Sequence, residues 1–345
     1  MERLLTRNPM LRTLASKEVG DYRTNLLNIA SYFGIATGFI SSESLVELRR
    51  LVDFRKGNLS VDLFVGMNYL EGFTELQYST LSDLSTFLTD NHFGNVYVSP
   101  QALYHGKMYS FANADGKCLG SFIGSSNLGS FIGTSQNTIE ADIYLPGQDG
   151  LVIEQSIKGI IKDLGIPFRE AAPITNFLEP ETDLLKGVEH VQKLSDDEFN
   201  SAMSSLTEQT VEIPLKTEEK SNLNTYFGAG KVPNKFSPRS WYEVELIIPK
   251  KTPNIEILPD KDAGPFRVVT PNKYSFYCER QGDNSKNFRS SKDLKILGKW
   301  IKGEMEKKGV IRCGEKVTAE TLQAFGKSKL VFKKSTSDFW YISLQ

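Results

Sequence analysis

The sequence of 345 residues contains few of the side chains that cross-link small proteins or bind metals, with only three cysteines and three histidines. Cys118, Cys278 and Cys313 are odd in number and far apart, which fits neither a disulfide framework nor a zinc site. No apolar run reaches the length of a membrane span, and no apolar stretch follows a basic start. We therefore expect a cytoplasmic protein that does not associate with membranes.

The net charge of −1 conceals an uneven distribution of charge along the chain. Residues 211–345 hold 25 Lys/Arg and 16 Asp/Glu, a net charge of +9, whereas residues 1–210 have a net charge of −10. Residues 179–210 alone carry a net charge of −6. A basic module often faces a polyanion and an acidic segment can mimic one, although solvated charged surfaces would give the same counts.

Hydrophobic patterns in the first half alternate between strands and helices. A helix is predicted from residue 42, with Leu45, Leu48, Leu51 and Val52 on one apolar stripe. Further helices are predicted at 76–88 and 151–164, and strands at 25–40, 60–67, 95–99, 108–111, 118–124 and 138–145. This alternation predicts βαβ units with a mainly parallel sheet for the first elements. Strands without helices between them follow, so we expect an α/β domain with a mixed sheet flanked by helices.

The second half is predicted to be mainly β. Strands are expected at 209–215, 241–248, 266–269, 274–278, 330–332 and 339–342, and one helix at 294–307. These short strands predict a small barrel-like fold. We place the domain boundaries at 1–178 for the α/β domain, 179–207 for an acidic linker and 208–345 for the β domain.

The most informative stretch is Tyr104-His105-Gly106-Lys107, which Gly124-Ser125-Ser126-Asn127 follows. Residues i and i+2 of an extended segment face the same side, so His105 and Lys107 converge. An imidazole beside an ammonium, near a turn rich in hydrogen-bond donors, suits a phosphate. His105 can act as the nucleophile, while Lys107, Asn127 and Ser125 neutralise charge on the phosphoryl oxygens. A His-x-Lys pair alone would more often be a surface feature.

Glu140 is a further candidate, because a carboxylate after the Gly-Ser-x-Asn turn can orient His105. A carboxylate of this kind holds one imidazole tautomer and stabilises the imidazolium form. A position on a solvated strand face explains Glu140 equally well.

The combination of His-x-Lys and Gly-Ser-x-Asn resembles the signature of the phospholipase D superfamily. The superfamily pattern carries an aspartate five residues after the lysine, where this chain has Ala112. Its lipases often contain two copies of the motif, whereas this chain has one, since neither His92 nor His190 is followed by a lysine two residues later. A member with one motif implies a homodimer whose two nuclease domains form one active site.

The order of the motifs through Ile139-Glu140-Ala141 is similar to that of metal-independent restriction endonucleases of the BfiI and NgoFVII type. The resemblance implies that His105, Lys107, Asn127 and Glu140 are catalytic, with Ser125 matching the wider superfamily. It implies hydrolysis of double-stranded DNA at or near a specific sequence through a phosphohistidine, leaving 5′-phosphate ends, with no metal and no cofactor. It also implies a C-terminal domain resembling the plant B-three domain, a pseudobarrel that grips the major groove.

Two loops of the basic domain concentrate side chains suited to reading base edges. The predicted DNA-binding residues are Asn222, Asn224, Tyr226, Lys231, Asn234, Lys235 and Arg239 in the first loop, and Arg280, Gln281, Asn284, Lys286 and Arg289 in the second. Any one of these residues would more often be an ordinary hydrophilic surface residue. The two loops together, on a domain of net charge +9, favour DNA binding.

Two alternatives belong to other functional classes. A phospholipase D-type lipid hydrolase is disfavoured by the single motif and the basic second domain. A non-catalytic DNA-binding protein with a degenerate nuclease domain has Ala112 as its support. The sequence leaves open a separate ATP-dependent helicase or translocase and a cognate DNA methyltransferase as partners.

Overall fold

The computed structural model describes residues 4–6, 19–134, 139–181, 183–228 and 235–345. Contacts divide the chain into two compact units. The first unit comprises Met1–Pro180 together with Gly230–Arg239, and the second comprises Glu181–Ala229 and Ser240–Gln345. A short segment from the second half of the sequence therefore belongs to the first unit. Among the residues described, no helix is both long and apolar enough to cross a membrane.

The first unit is built on a mixed eight-stranded sheet in the order β1-β7-β6-β5-β2-β3-β4-β8. Its strands are β1 (Leu4–Thr6), β2 (Tyr32–Thr37), β3 (Ser60–Val65), β4 (Gly94–Val98), β5 (Met108–Ala112), β6 (Cys118–Gly124), β7 (Ala141–Pro146) and β8 (Ile166–Pro167). Its helices are α1 (Val19–Ile29), α2 (Ser42–Phe54), α3 (Asn68–Glu71), α4 (Glu75–Asp90), α5 (Leu128–Ile132) and α6 (Leu151–Leu164). Strands β2, β3 and β4 pair in parallel, whereas β5, β6 and β7 pair antiparallel.

Helices cover both faces of this sheet, as expected for the predicted α/β class. The apolar stripe of α2 packs into the larger core, and all four of its predicted members are fully buried. Helix α6 covers the opposite face, where Ile153 and Ile157 pack against Ala36, Phe64 and Met108. Alternate residues of a strand supply the two cores, since neighbouring side chains point to opposite faces.

One segment of the first unit departs from its predicted element, and another forms a helix where no element was predicted. The prediction of one strand over 25–40 is wrong, because residues up to Ile29 belong to α1 and only Tyr32–Thr37 form β2. An apolar run of this length fits a buried helix as well as a buried strand. The sequence Leu-Gly-Ser-Phe-Ile-Gly occurs twice, at 119–124 within β6 and at 128–133, where it begins with helix α5. Context therefore selects the conformation of this hexapeptide.

The second unit is mainly β, with a curled sheet in the order β10-β15-β16-β12-β13-β14-β11, and β9 pairs with β13. Its strands are β9 (Gln192–Lys193), β10 (Leu206–Pro214), β11 (Leu246–Ile247), β12 (Phe266–Val269), β13 (Tyr274–Gln281), β14 (Asn287–Ser290), β15 (Lys329–Ser335) and β16 (Trp340–Leu344). Its helices are α7 (Asp196–Ser204), α8 (Lys295–Lys307) and α9 (Ala319–Phe325). The predicted fold class of both domains is confirmed.

The strand predicted over 241–248 is mostly irregular, and only Leu246–Ile247 pairs as β11. The apolar residues that alternate there are buried all the same, and Trp241 is fully buried. An alternating apolar pattern therefore predicts which of these residues are buried, although most of the segment pairs with no other strand in the described part of the chain. Strand β14 and helix α9 lie in segments for which no element was predicted.

The acidic segment after residue 179 packs with the second unit over residues 183–207. Strand β9 pairs with β13, and a capping box between Ser195 and Glu198 starts helix α7. Asp196 forms an ion pair with Lys273 at 2.5 Å. The predicted boundaries at 178 and 208 remain predictions.

Candidate active site

The sheet register brings four separated segments of the first unit to one edge. Met108 at the start of β5 lies opposite Ala36 near the end of β2 and Ile123 near the end of β6. Gly124 at the end of β6 lies opposite Asp142 near the start of β7. The residues just before β5, after β6, before β7 and after β2 therefore meet, although up to about a hundred positions separate them in sequence.

His105 and Lys107 converge at this edge. The Lys107 Nζ atom lies 3.0 Å from Nδ1 and 3.2 Å from Nε2 of His105, and it donates a hydrogen bond of 2.6 Å to the His105 carbonyl oxygen. His105 is exposed, whereas Lys107 is buried. Burial lowers the pKa of the Lys107 ammonium, and the negative charge of Glu140 acts in the opposite direction. An accessible imidazole thus lies beside a largely desolvated cation.

Glycine makes the close packing of this loop possible. A Cβ on Gly106 would lie 2.3 Å from the Tyr104 hydroxyl, and one on Gly66 would lie 2.4 Å from the Tyr104 carbonyl oxygen. Neither position has space for a side chain. Tyr104 is consequently held between the two glycines, directly before His105.

Ser125 and Glu140 form a second contact at this edge of the sheet. The Ser125 hydroxyl donates a short hydrogen bond to the Glu140 carboxylate and accepts one of 3.0 Å from the Ala141 amide. Glu140 is 7% exposed, so its charge acts on Lys107 through poorly solvated surroundings. Glu140 therefore contributes to the electrostatics of the site. Its predicted role in holding the His105 imidazole stays a prediction.

Asn127 precedes α5 and is fixed by its side-chain oxygen. Asn127 Oδ1 accepts a hydrogen bond of 3.1 Å from the Phe39 amide and lies 3.5 Å from the Thr37 hydroxyl. The Phe39 ring meets the His105 ring edge-on, with centroids 5.7 Å apart. Thr37 and Phe39 were not predicted as site residues, because nothing in the local sequence after β2 points to them.

A buried polar network supports the Gly-Ser-Ser-Asn turn from below. The carboxylate of Asp142, 1% exposed, accepts hydrogen bonds from the Ser126 hydroxyl at 2.5 Å and from the Ser126 amide at 3.3 Å. The Tyr109 hydroxyl donates to the Ser126 carbonyl oxygen at 2.6 Å. Asp142 was not predicted as a site residue, although its position two residues after Glu140 in the strand predicted over 138–145 was a usable signal.

Ala112 lies at the other end of β5 from this site. Five residues of extended chain separate it from Lys107, roughly 16 Å at about 3.3 Å per residue. An aspartate at this position could not touch the groups described above. The departure from the superfamily pattern at Ala112 therefore leaves the site itself intact.

The predicted DNA-binding residues fall into three sets. Asn222, Asn224, Tyr226 and Arg280 are all buried. The Asn224 carboxamide donates a hydrogen bond of 2.8 Å to the Val317 carbonyl oxygen and accepts one of 2.9 Å from the Val317 amide. The Arg280 guanidinium donates to the carbonyl oxygens of Ser285 and Leu258 at 2.8 Å each. These four residues therefore lie in the interior of the second unit, and their contact with bases stays a prediction.

A second set lies on or beside the β13–β14 hairpin. Asn284 and Lys286 are exposed at its tip, and Gln281 is partly exposed. Arg289 is held between the carboxylates of Glu279 and Glu245, at 3.1 and 3.2 Å.

The third set comprises the remaining four predicted residues of the first loop. Two of them, Lys235 and Arg239, belong to the first unit. Lys231 and Asn234 lie outside the described residues. The hairpin tip thus retains the accessible side chains that suit contact with DNA.

Comparison with known families agrees with this arrangement. Residues 22–158 match the family model described as NgoFVII restriction endonuclease N-terminal PLD domain, and residues 201–336 match that described as NgoFVII C-terminal B3-like DNA-binding domain. Together the two models span most of the chain. None of the curated proteins matches the sequence.

Solved structures show weaker likenesses. The phospholipase D family member Nuc from Salmonella typhimurium is 9% identical at a TM-score of 0.33, with 48% of this chain and 96% of that chain covered. TrmBL2, an archaeal chromatin protein, is 12% identical at a TM-score of 0.28, with 48% of this chain covered. The chain spans about half of the length of TrmBL2, since 54% of that protein is covered. Both TM-scores are below 0.5, so neither likeness supports a conclusion.

Proposed function

We propose, from the premise that the chain belongs to the family of NgoFVII-type restriction endonucleases, that it is a site-specific DNA endonuclease. Its substrate is double-stranded DNA, and it hydrolyses phosphodiester bonds at or near a recognition sequence without a metal ion. The observation that carries the proposal is the cluster of His105, Lys107 and Asn127 at one sheet edge, with Lys107 Nζ 3.0 Å from the imidazole.

The chemistry requires a nucleophile and cationic or neutral donors around one phosphate. A ring nitrogen of the exposed His105 attacks the phosphorus, which forms a P–N bond while the bond from phosphorus to the leaving oxygen breaks. Lys107 and the amide of Asn127 stabilise the negative charge of the non-bridging oxygens. Water then attacks the phosphohistidine, the P–N bond breaks, and the histidine is released with a 5′-phosphate end on the DNA.

The leaving oxygen needs a proton, for which we propose the His105 of a second copy. His92 precedes β4 at the opposite edge of the sheet, so it cannot serve this site within its own domain. A homodimer through the nuclease domain supplies the second histidine. Exposed apolar residues on the segments that carry the site support such an interface: Leu103 at 58% exposure, Ile139 at 60%, and the cross-strand pair Ile123 and Ile143.

Sequence recognition is proposed for the second unit, with the β13–β14 hairpin as its reading element. The exposed Asn284 and Lys286, with Gln281 beside them, offer donors suited to adenine and guanine edges in the major groove. A cognate methyltransferase and a separate ATP-dependent helicase or translocase are proposed partners that fit a restriction system.

Replacing the nucleophile tests the proposal. His105→Ala should abolish cleavage while the affinity for DNA stays that of the wild type, because the proposed base contacts lie in the second unit. His92→Ala is the matched control and should cleave normally. Cleavage by the His105→Ala variant would refute the assignment, and loss of DNA binding would mean that the site is placed in the wrong part of the fold.

A further inference from the structure

The turn that follows β2, Thr37-Gly38-Phe39, lies against the candidate site but outside its sequence motif. Thr37 is fully buried, and its hydroxyl accepts a hydrogen bond of 3.3 Å from the Leu128 amide. The same hydroxyl lies 3.2 Å from the Phe39 carbonyl oxygen and 3.5 Å from Asn127 Oδ1, to which the Phe39 amide donates at 3.1 Å. The turn thus touches both the side chain of Asn127 and the backbone directly after it.

These contacts decide which way the Asn127 carboxamide faces. A backbone N–H can only donate, so the atom that meets the Phe39 amide must be the carboxamide oxygen. The opposite orientation would set two donors against each other and leave the partly buried Phe39 amide without an acceptor. The NH2 group therefore points away from the turn and has no protein acceptor among the described residues.

We propose that Thr37 is a positioning residue for phosphodiester cleavage, which together with the Phe39 amide holds the Asn127 NH2 group toward a phosphoryl oxygen. The inference rests on the proposed function. A donor that is already oriented stabilises the developing charge without reorganisation during the reaction. Thr37 acts through Asn127 and does not itself touch the substrate. Its effect should consequently fall on turnover and leave the binding of DNA unchanged.

Steady-state cleavage by four variants measures this effect. Thr37→Val removes the hydroxyl at constant shape and should lower kcat about tenfold with KM unchanged, and Thr37→Ser should restore it. Asn127→Ala should lower kcat by about 10²- to 10³-fold, the usual loss on removing one such donor. The double variant should be no slower than Asn127→Ala alone, because Thr37 has nothing left to position. Fully additive losses would overturn the inference.

Ser121→Ala supplies the matched control. Ser121 is also fully buried in the same sheet, and its hydroxyl donates to the Gly150 carbonyl oxygen at 2.9 Å, away from the site. It should cleave at the wild-type rate after its folding has been checked by circular dichroism. A loss of kcat in this variant equal to that of Thr37→Val would make the Thr37 effect a general consequence of losing a buried hydroxyl, and would overturn the inference.

A second readout does not depend on turnover. The side-chain amide signal of Asn127, assigned by its disappearance in Asn127→Ala, is followed by nuclear magnetic resonance while inorganic phosphate is added to the full chain. Phosphate should shift this signal in the wild type and in Thr37→Ser, and at least several-fold less in Thr37→Val. Equal shifts in all three would overturn the positioning role alone. No shift in the wild type would overturn the phosphate site itself.

Discussion

Phe236 provides a quantitative test of the assignment of the segment Gly230–Arg239 to the first unit. It is 1% exposed and packs in the larger core of the first unit, although it lies in the loop where the sequence predicts DNA contacts. Its amide and carbonyl groups bond both ends of the Asn28 carboxamide, at 2.8 and 3.1 Å, and the Arg50 guanidinium lies 4.6 Å from its ring. The segment around it is fixed further by the Arg239 amide, which donates to the buried Glu47 carboxylate at 2.9 Å.

Replacing Phe236 by alanine should therefore destabilise the first unit. Loss of a buried phenylalanine side chain costs about 3 to 5 kcal/mol, the sum of the lost transfer free energy and the cavity that remains. Phe177→Ala is the control, because Phe177 is 39% exposed and should lose less than half as much. DNA affinity should not change in either variant at temperatures where both units are folded.

The positions of the tryptophans allow the two units to be followed separately. Trp241, Trp300 and Trp340 are the three tryptophans of the chain, and all belong to the second unit. In guanidinium unfolding, tryptophan fluorescence therefore reports the second unit, while far-ultraviolet circular dichroism reports both. Phe236→Ala should move the unfolding of the first unit, seen by circular dichroism, to lower guanidinium concentration. The fluorescence transition of the second unit should not move. A loss below about 1 kcal/mol, or a shift seen equally by fluorescence, would refute the assignment of this segment.

Two further predictions follow from buried polar groups. Burial lowers the pKa of the Lys107 ammonium, so kcat for cleavage should fall as the pH rises through a value below the pKa of an ordinary lysine. Lys107→Arg should move this fall to higher pH, because a guanidinium stays charged. A pH–kcat profile that does not move would contradict the role of the ammonium. Asn224→Ala should lower the free energy of unfolding of the second unit by about 1 to 3 kcal/mol in tryptophan fluorescence, without changing base preference. A changed recognition sequence would instead support a contact between Asn224 and DNA.

The parts of the fold that the sequence predicts are those with a strong local period. Helix α6 has the predicted bounds, and the stripe from Leu45 to Val52 lies on α2 as expected. The repeated hexapeptide shows the limit, because identical residues form strand in β6 and helix in α5. One copy has strand partners on both sides, whereas the other follows Asn127, which occupies the N-cap position of a short buried helix without a capping hydrogen bond from its side chain. These partners lie outside the hexapeptide, so its six residues alone carry no signal that distinguishes strand from helix.

The candidate site likewise contains residues that local spacing predicts and residues that only contacts with other segments place. His105 and Lys107 were predictable because two residues of extended chain set their spacing. The orientation of Asn127 depends on Thr37 and Phe39, which lie about 90 positions earlier in the sequence. The burial of Asn224 and Arg280 depends on carbonyl groups supplied by other loops. Composition alone marks such residues as polar, without deciding whether they face DNA or the interior.

Cleavage of a mixed-sequence plasmid library by the purified protein in excess EDTA, followed by sequencing of the ends, decides whether His105 cuts DNA without a metal ion. We expect discrete cuts at or near one recurring sequence, with 5′-phosphate ends, from the wild type and none from His105→Ala. If EDTA abolishes cutting that divalent metal then restores, or if His105→Ala cuts at the same positions, the histidine mechanism is contradicted.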